Sequence, residues 1–341
     1  MRIRRRPAAL LVGASALLAI AAVSFAPSSQ AADRPTAQPG TAAAGRAPAA
    51  SMGAAPYLYY GWGSPPSATS LMSTTGVRWF TLAFILSDGG CNPKWDGSRA
   101  LTGSDAARIN EIRAAGGDII PSFGGWSGRK LGERCGNASA LAGAYQKVID
   151  AYQLKAIDVD IEASEFSNGT VRKRVIDALK IVKNNNAGIK VYVTFGTTPS
   201  GPDSTGRDLI NKGAAAGLAV DGWVVMPFDF GTSVPDMGKA SINAANGLKA
   251  AVKSAYGYSD AEAYRRVGIS SMNGKDDEGK TINLGDFREM LAFAQKNHLA
   301  RFTFWSVNRD RPCGGGTDPD ACSGISQKAW DFTKVIAQYN G

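Results

Sequence analysis

Lys155-Ala-Ile-Asp-Val-Asp-Ile-Glu162 is the stretch from which the rest of the chain can be read. Apolar Ile157, Val159 and Ile161 alternate with acidic Asp158, Asp160 and Glu162. In an extended strand alternate side chains share a face, so the three carboxyls fall in one line, successive members roughly 6–7 Å apart. Taken alone, the octapeptide fits equally well an ordinary strand with its acids in water. A parallel sheet covered on both faces closes that option, because it has no solvated face. There the apolar set packs beneath helices and the acids point inward. Mutual repulsion and desolvation then raise their pKa values, which is what a general acid near neutral pH requires.

The flanking sequence supplies such a sheet. Apolar runs rich in β-formers recur at Tyr57–Tyr60, Trp79–Leu86, Asp118–Phe123, Ala156–Ile161, Lys190–Phe195, Gly222–Met226, Val267–Ser271 and Arg301–Trp305. Between them helical patterns run over Ser104–Ala115, Ser139–Tyr152, Val171–Asn184, Arg207–Ala216, Ser241–Tyr256 and Leu284–Asn297, with a last one over Ile325–Tyr339 and a weaker first one over Ser67–Thr75. Ser104 reads as an N-cap and Gly116-Gly117 as a stop; Asn297 and His298 close the helix before the eighth strand. Eight alternations in one domain predict an α/β fold of the (β/α)8 TIM-barrel type. A doubly wound open sheet is the rival, but no Gly-rich dinucleotide fingerprint follows the first strand. Glu162, last on its strand, falls at the C-terminal mouth, where barrel active sites sit.

Composition narrows the chemistry. Residues 1–31 open with Arg2, Arg4, Arg5 and Arg6, continue through an apolar stretch from Ala8 to Phe25, and end in small residues at Ser29 and Ala31, the order of a signal peptide. Residues 32–56 are dominated by Ala, Pro and Gly and read as a linker or tail, leaving 57–341 as one large α/β domain. Removing the signal lowers the net charge from +9 to +5; the remaining basic residues are scattered, which argues against nucleic acid as a partner. Cys91, Cys135, Cys313 and Cys322 all lie downstream of the export signal. Two disulfides are expected, and of the three pairings Cys91–Cys135 with Cys313–Cys322 is favoured. The single histidine, His298, lies at a helix end, so chemistry built on a histidine base or on histidine metal ligands is disfavoured. The catalyst is sought among carboxylates.

Four strand ends carry a more specific signal. Asp158, Asp160 and Glu162 resemble the D-x-D-x-E end of the signature of glycosyl hydrolase family 18, the chitinases. Ser122-Phe-Gly-Gly125 is similar to that family's S-x-G-G, Met226-Pro-Phe-Asp229 to its M-x-Y-D, and Phe304-Trp305-Ser306 to its terminal tryptophan segment. The nearest likeness is to exported chitinases of actinobacterial type with the ending FWSVNRDRPC, residues 304–313. Two positions depart from the pattern. Lys155 stands where the longer signature has its first Asp, and Phe228 stands where it has a tyrosine whose hydroxyl bonds the acetamido oxygen. Tyr192 is a candidate substitute for that hydroxyl, or else a packing residue of the barrel.

The resemblance implies a retaining, substrate-assisted hydrolysis of N-acetylglucosamine polymers, with no metal and no cofactor. It assigns Glu162 as proton donor, Asp160 as the group holding the acetamido N–H, and Asp158 as its tuner. Asp229, Met226 and Phe228 would line the sugar pocket, with Trp305 as its floor; Trp126 and Trp62 are candidate platforms, and Ser122, Gly124 and Gly125 shape the interior beside the acids. Trp79 and Trp223 read as core. The expected partner is chitin or its oligosaccharides, met by an extracellular monomer with no stable membrane association after cleavage. A non-catalytic sugar-binding barrel and an endo-β-N-acetylglucosaminidase acting on glycoproteins are the alternatives.

Overall fold

The computed structural model describes residues 51–341 except Thr232 and Thr317. The expected signal peptide, and the linker as far as residue 50, lie outside the described residues. Eight parallel strands run in chain order around the molecule: β1 (Tyr57–Tyr59), β2 (Trp79–Ser87), β3 (Asp118–Gly124), β4 (Ala156–Ile161), β5 (Lys190–Gly196), β6 (Gly222–Met226), β7 (Val267–Met272) and β8 (Arg301–Trp305). Eight helices cover them: α1 (Ala68–Thr75), α2 (Ser104–Ala114), α3 (Ala138–Tyr152), α4 (Gly169–Asn185), α5 (Ser204–Ala215), α6 (Met237–Tyr256), α7 (Leu284–Asn297) and α8 (Asp331–Ile336). This is the (β/α)8 barrel.

Alternation along the strands sorts two layers. Leu58, Phe80, Leu82, Ile119, Ile157, Val159, Ile161, Val193, Trp223, Val225, Ile269 and Phe302 join the large apolar layer beneath the helices. The residues between them, among them Thr81, Ser122, Asp158, Thr194, Ser270 and Thr303, fill the barrel interior and are buried. Polar groups can be placed there only if they bond one another.

The ring is stitched rather than laddered between β1 and β8. The Asn308 side chain accepts from Tyr59 N–H at 3.0 Å and donates to the Tyr59 carbonyl at 2.8 Å, standing in for a strand neighbour. Below it, Thr81 and Thr303 both donate to the Ala55 carbonyl, at 2.7 and 2.5 Å. That last contact corrects the domain boundary. Within residues 51–56 a short 3-10 turn, Met52–Ala54, is capped by Ser51, and Ala54 and Ala55 are buried at the barrel floor. The small side chains that make this segment look like a linker are what let its backbone fit beneath the strands.

Two helix limits also differ from expectation. Gly103, not Ser104, is the N-cap of α2. The last helix is much shorter than 325–339, because its start is set from outside. Asp310 accepts from the N–H groups of Phe332 and Thr333 at 3.2 and 2.7 Å, fixing the first turn after a left-handed Trp330. By contrast α7 begins and ends where its sequence says, on an Asn283/Asp286 capping box and a left-handed His298. Both disulfides follow the favoured pairing, with Cα separations of 4.7 Å for Cys91–Cys135 and 4.9 Å for Cys313–Cys322. Among the described residues no helix is long and apolar enough to cross a membrane.

Candidate active site

The acid line is built from the bottom up. Asp158, fully buried, accepts four hydrogen bonds from four strands or strand ends: Tyr57 Oη (2.9 Å) and Ser122 Oγ (2.6 Å) on Oδ2, Thr194 Oγ1 (2.7 Å) and Arg301 Nη1 (3.2 Å) on Oδ1. A buried carboxylate with one cation and three hydroxyl donors is compensated. One step higher, Asp160 is also buried but poorly satisfied, and its Oδ1 has no hydrogen-bond partner among the described residues. Burial, and then the negative charges of Glu162 and Asp158, push its pKa well above the usual carboxylate range.

Glu162 completes the line at the mouth, half-buried. Its carboxyl lies within hydrogen-bonding reach of Asp160, so the two titrate as a pair. Burial raises Glu162 to about 7, against the pull of Lys130 and of its bond with Asp160. The chain leaves the strand abruptly here. Ala163 takes a left-handed φ of +48°, a conformation costly for a residue with a Cβ, and a short helix starts at once.

The S-x-G-G segment ends β3 beside this line. Gly124 has φ +105°, and a Cβ there would stand 2.1 Å from the Asp160 carbonyl; a Cβ on Gly125 would meet the Phe84 ring at 2.7 Å. At both positions a Cβ would clash on a backbone of positive φ. Trp305 lies parallel to Phe84, with ring centroids 5.6 Å apart, and against Tyr57 and Tyr59, each at 5.9 Å. It is an aromatic surface at the end of β8. Trp62 packs edge-on against Tyr59 at 4.3 Å and donates its indole N–H to Asp320 at 3.0 Å. It remains 54% exposed and Trp126 72%, large aromatic faces left in water.

On the opposite side, Met226 is buried and Phe228 half-buried. Asp229 adopts φ +53° and is braced by the loop after β7: its N–H donates to Asp276 at 3.1 Å and its Oδ1 accepts from Asp277 N–H at 3.0 Å. Burial and the charges of Asp277 and Asp276 raise Asp229 to about 6. Lys155 sits at the far end, bonded to Asp118 at 2.8 Å. It precedes the first residue of the strand whose far end leads into Glu162.

The structure does not bring Tyr192 to the mouth. Its ring is buried in the lowest interior layer with Ala55, Ile120, Ala156 and Val224, and the Arg301 guanidinium lies 4.9 Å from its centroid. It is a packing residue, because an inward position near the start of a strand faces the floor. Residues that sequence reasoning passed over are Tyr57, Thr194 and Arg301 around Asp158, Phe84 against Trp305, Lys130, and the Asp276–Asp277 brace. Alternation could have found two of them: Thr194 lies inward on β5, and Arg301 shares the inward side of β8 with Thr303. Among the described residues, no group of three or more His, Cys, Asp or Glu is arranged to hold a metal ion.

No family model matches the chain. It is 27% identical over 305 residues to a probable bifunctional chitinase/lysozyme of Escherichia coli, covering 84% of this chain and 34% of that protein. It is also 27% identical over 273 residues to endochitinase 11 of Metarhizium anisopliae, covering 76% of this chain and 52% of that protein. The chain thus spans about a third to a half of the length of these relatives. Among solved structures, the catalytic domain of a hyperthermophilic chitinase from Pyrococcus furiosus superposes with a TM-score of 0.76 at 29% identity, over 84% of this chain and 93% of that one. A GH18 chitinase from Pseudoalteromonas aurantia shares the fold with a TM-score of 0.51 at 14% identity, over 74% of this chain and 93% of that one. Along its barrel, the chain is similar to the catalytic domains of chitinases, a class of glycoside hydrolase.

Proposed function

We propose that this chain is a secreted glycoside hydrolase that cuts β-1,4-linked N-acetylglucosamine polymers, with Glu162 as general acid and then general base. One observation carries the reading: Glu162 ends a line of three inward carboxyls at the barrel mouth and keeps its proton to about pH 7. An acid so placed can protonate a glycosidic oxygen near neutral pH.

In the proposed reaction Glu162 gives its proton to the leaving oxygen as the bond to the anomeric carbon breaks. The carbonyl oxygen of the sugar's own 2-acetamido group attacks that carbon, forming an oxazolinium ion with retention to follow. Asp160, whose Oδ1 has no partner among the described residues, accepts a hydrogen bond from the acetamido N–H. Asp158, held by its four donors, lies beneath Asp160. The Glu162 carboxylate then removes a proton from water, which opens the ring and restores the acid. Trp305 supplies the flat apolar floor beneath the sugar, Trp62 and Trp126 extend the surface, and Asp229 with Met226 closes the acetamido side. Phe228 offers no hydroxyl to the acetamido oxygen, a donor whose absence costs a few kcal/mol of transition-state stabilisation unless substrate or water replaces it. The names of the relatives favour chitin as substrate, and the Phe304–Cys313 segment favours the exported actinobacterial type. The reading takes the chain as an extracellular monomer that needs no cofactor.

The test is hydrolysis of defined N-acetylglucosamine oligomers, colloidal chitin and a high-mannose glycoprotein, with product anomers followed by NMR. Cleavage of the first two with initial β-anomer supports the proposal, and Glu162→Gln should lose at least about 10²-fold in kcat while still binding. Release of glycans alone would assign the glycoprotein activity; binding without cleavage would make this a sugar-binding barrel. Wild-type rates in Glu162→Gln would remove Glu162 from the chemistry.

A further inference from the structure

Lys130 is 1% exposed, an unusual position for a lysine. Its ammonium bonds backbone carbonyls rather than a carboxylate: that of Gly125, and that of Ser127 at 2.6 Å. These two residues flank Trp126, so one side chain ties down the turn that follows the S-x-G-G segment. The same turn touches the acid line, because Gly125 N–H donates to the Asp160 carbonyl at 2.9 Å. Directly behind lies a second buried acid, Glu165, 2% exposed. Its Oε2 would sit 3.4 Å from a Cβ on Gly124, and the atom has no hydrogen-bond partner among the described residues.

We infer that Lys130 is a positioning residue for the proposed reaction: its buried charge sets the pH at which Glu162 surrenders its proton, and its two carbonyl bonds fix the turn carrying Trp126. The inference rests on Glu162 being the proton donor. The charged surroundings are all acidic on this side. Glu165, Asp160, Glu162 and Glu133 face Lys130, Asp160, Asp229 and Asp277 face Glu162 together with Lys130, and the buried Tyr145 phenol faces Glu165. Of the other buried cations among the described residues, Arg301 is engaged with Asp158 one level down, and Arg309 faces Asp277, Asp320, Asp276 and Asp229 across the mouth. Lys130 is the cation that bears on Glu162 itself, and its pull grows as the neighbouring acids ionise. Burial lowers its pKa, and the four acids counter that and favour its cationic form.

The experiment compares the full chain with Lys130→Met and Lys130→Arg. The pKa of Glu162 is read directly by carboxyl ¹³C NMR, assigned by its loss in Glu162→Gln, and again as the basic limb of kcat/KM on a chito-oligomer. Lys130→Met should raise both by about one pH unit, while Lys130→Arg, which keeps the charge, stays within about 0.3 unit of the wild type. A merely structural lysine would change stability and leave the titration unmoved, and that result overturns the inference. Should Lys130→Met fail to fold, Lys130→Gln, which keeps a donor without the charge, gives the same reading. The NMR titration decides the matter even if the chain proves inactive on chito-oligomers, so failure of the proposed function and failure of this inference are told apart.

Discussion

The guanidinium of Arg301 stands 3.2 Å from Oδ1 of Asp158, and neither side chain is exposed to solvent. The two come from opposite sides of the barrel, 143 residues apart in sequence. Removing one partner of such a pair leaves the other charge stranded, at a cost of about 3–5 kcal/mol. Arg301→Met should therefore lower unfolding stability by about that much in urea titrations. The double variant Arg301→Met/Asp158→Asn should cost clearly less than the two single changes added together. Simple additivity would mean that the pair is not coupled.

Glu162, raised to about 7 by burial, acts as an acid only while protonated. The proposed activity should hence be near its plateau below that value and fall about tenfold per pH unit above it. A kcat/KM profile on a chito-oligomer checks this, and a basic limb starting below pH 5 would contradict it.

Glu165 gives a prediction about stability alone. Burial raises its pKa from 4.5 to about 8, so between those values the folded chain binds more protons than the unfolded one, and stability falls as pH rises. Glu165→Gln removes that loss. Relative to wild type the variant should gain on the order of 4 kcal/mol between pH 5 and pH 9, measured as midpoints and slopes of urea unfolding at the two pH values. A gap independent of pH would show that Glu165 is ionised throughout.

Asp320 fixes the exposed indole of Trp62 from within the loop closed by Cys313–Cys322. If Trp62 is a sugar platform, Asp320→Ala should raise KM for long chito-oligomers several-fold, leaving kcat and the KM for short ones nearly unchanged. An equal effect on all lengths would place Trp62 outside the substrate path.

The elements that could be read from the chain are those whose information is local. Each of the eight strands was marked by its own apolar run, and the acid line by its own alternation. What could not be read depends on contacts across the fold. The start of α8 is set by Asp310, which accepts from Thr333 twenty-three residues away. The burial of Ala55 depends on hydroxyls from β2 and β8. At the site the residue types were legible but not their depth. Tyr192 and Thr194 both face inward on one strand, yet only Thr194 reaches Asp158. Lys130 lies on no periodic element, and its burial follows from the path of a turn that no local rule dictates.

The stitch made by Asn308 has a consequence for biogenesis. The backbone of Tyr59 finds its partner 249 residues further along, so a chain emerging amino end first from the ribosome carries an unsatisfied β1 edge through most of its synthesis. Such an edge is open to pairing with other chains. Termination between β2 and β8 would leave a sheet whose β1 edge is open rather than a smaller ring.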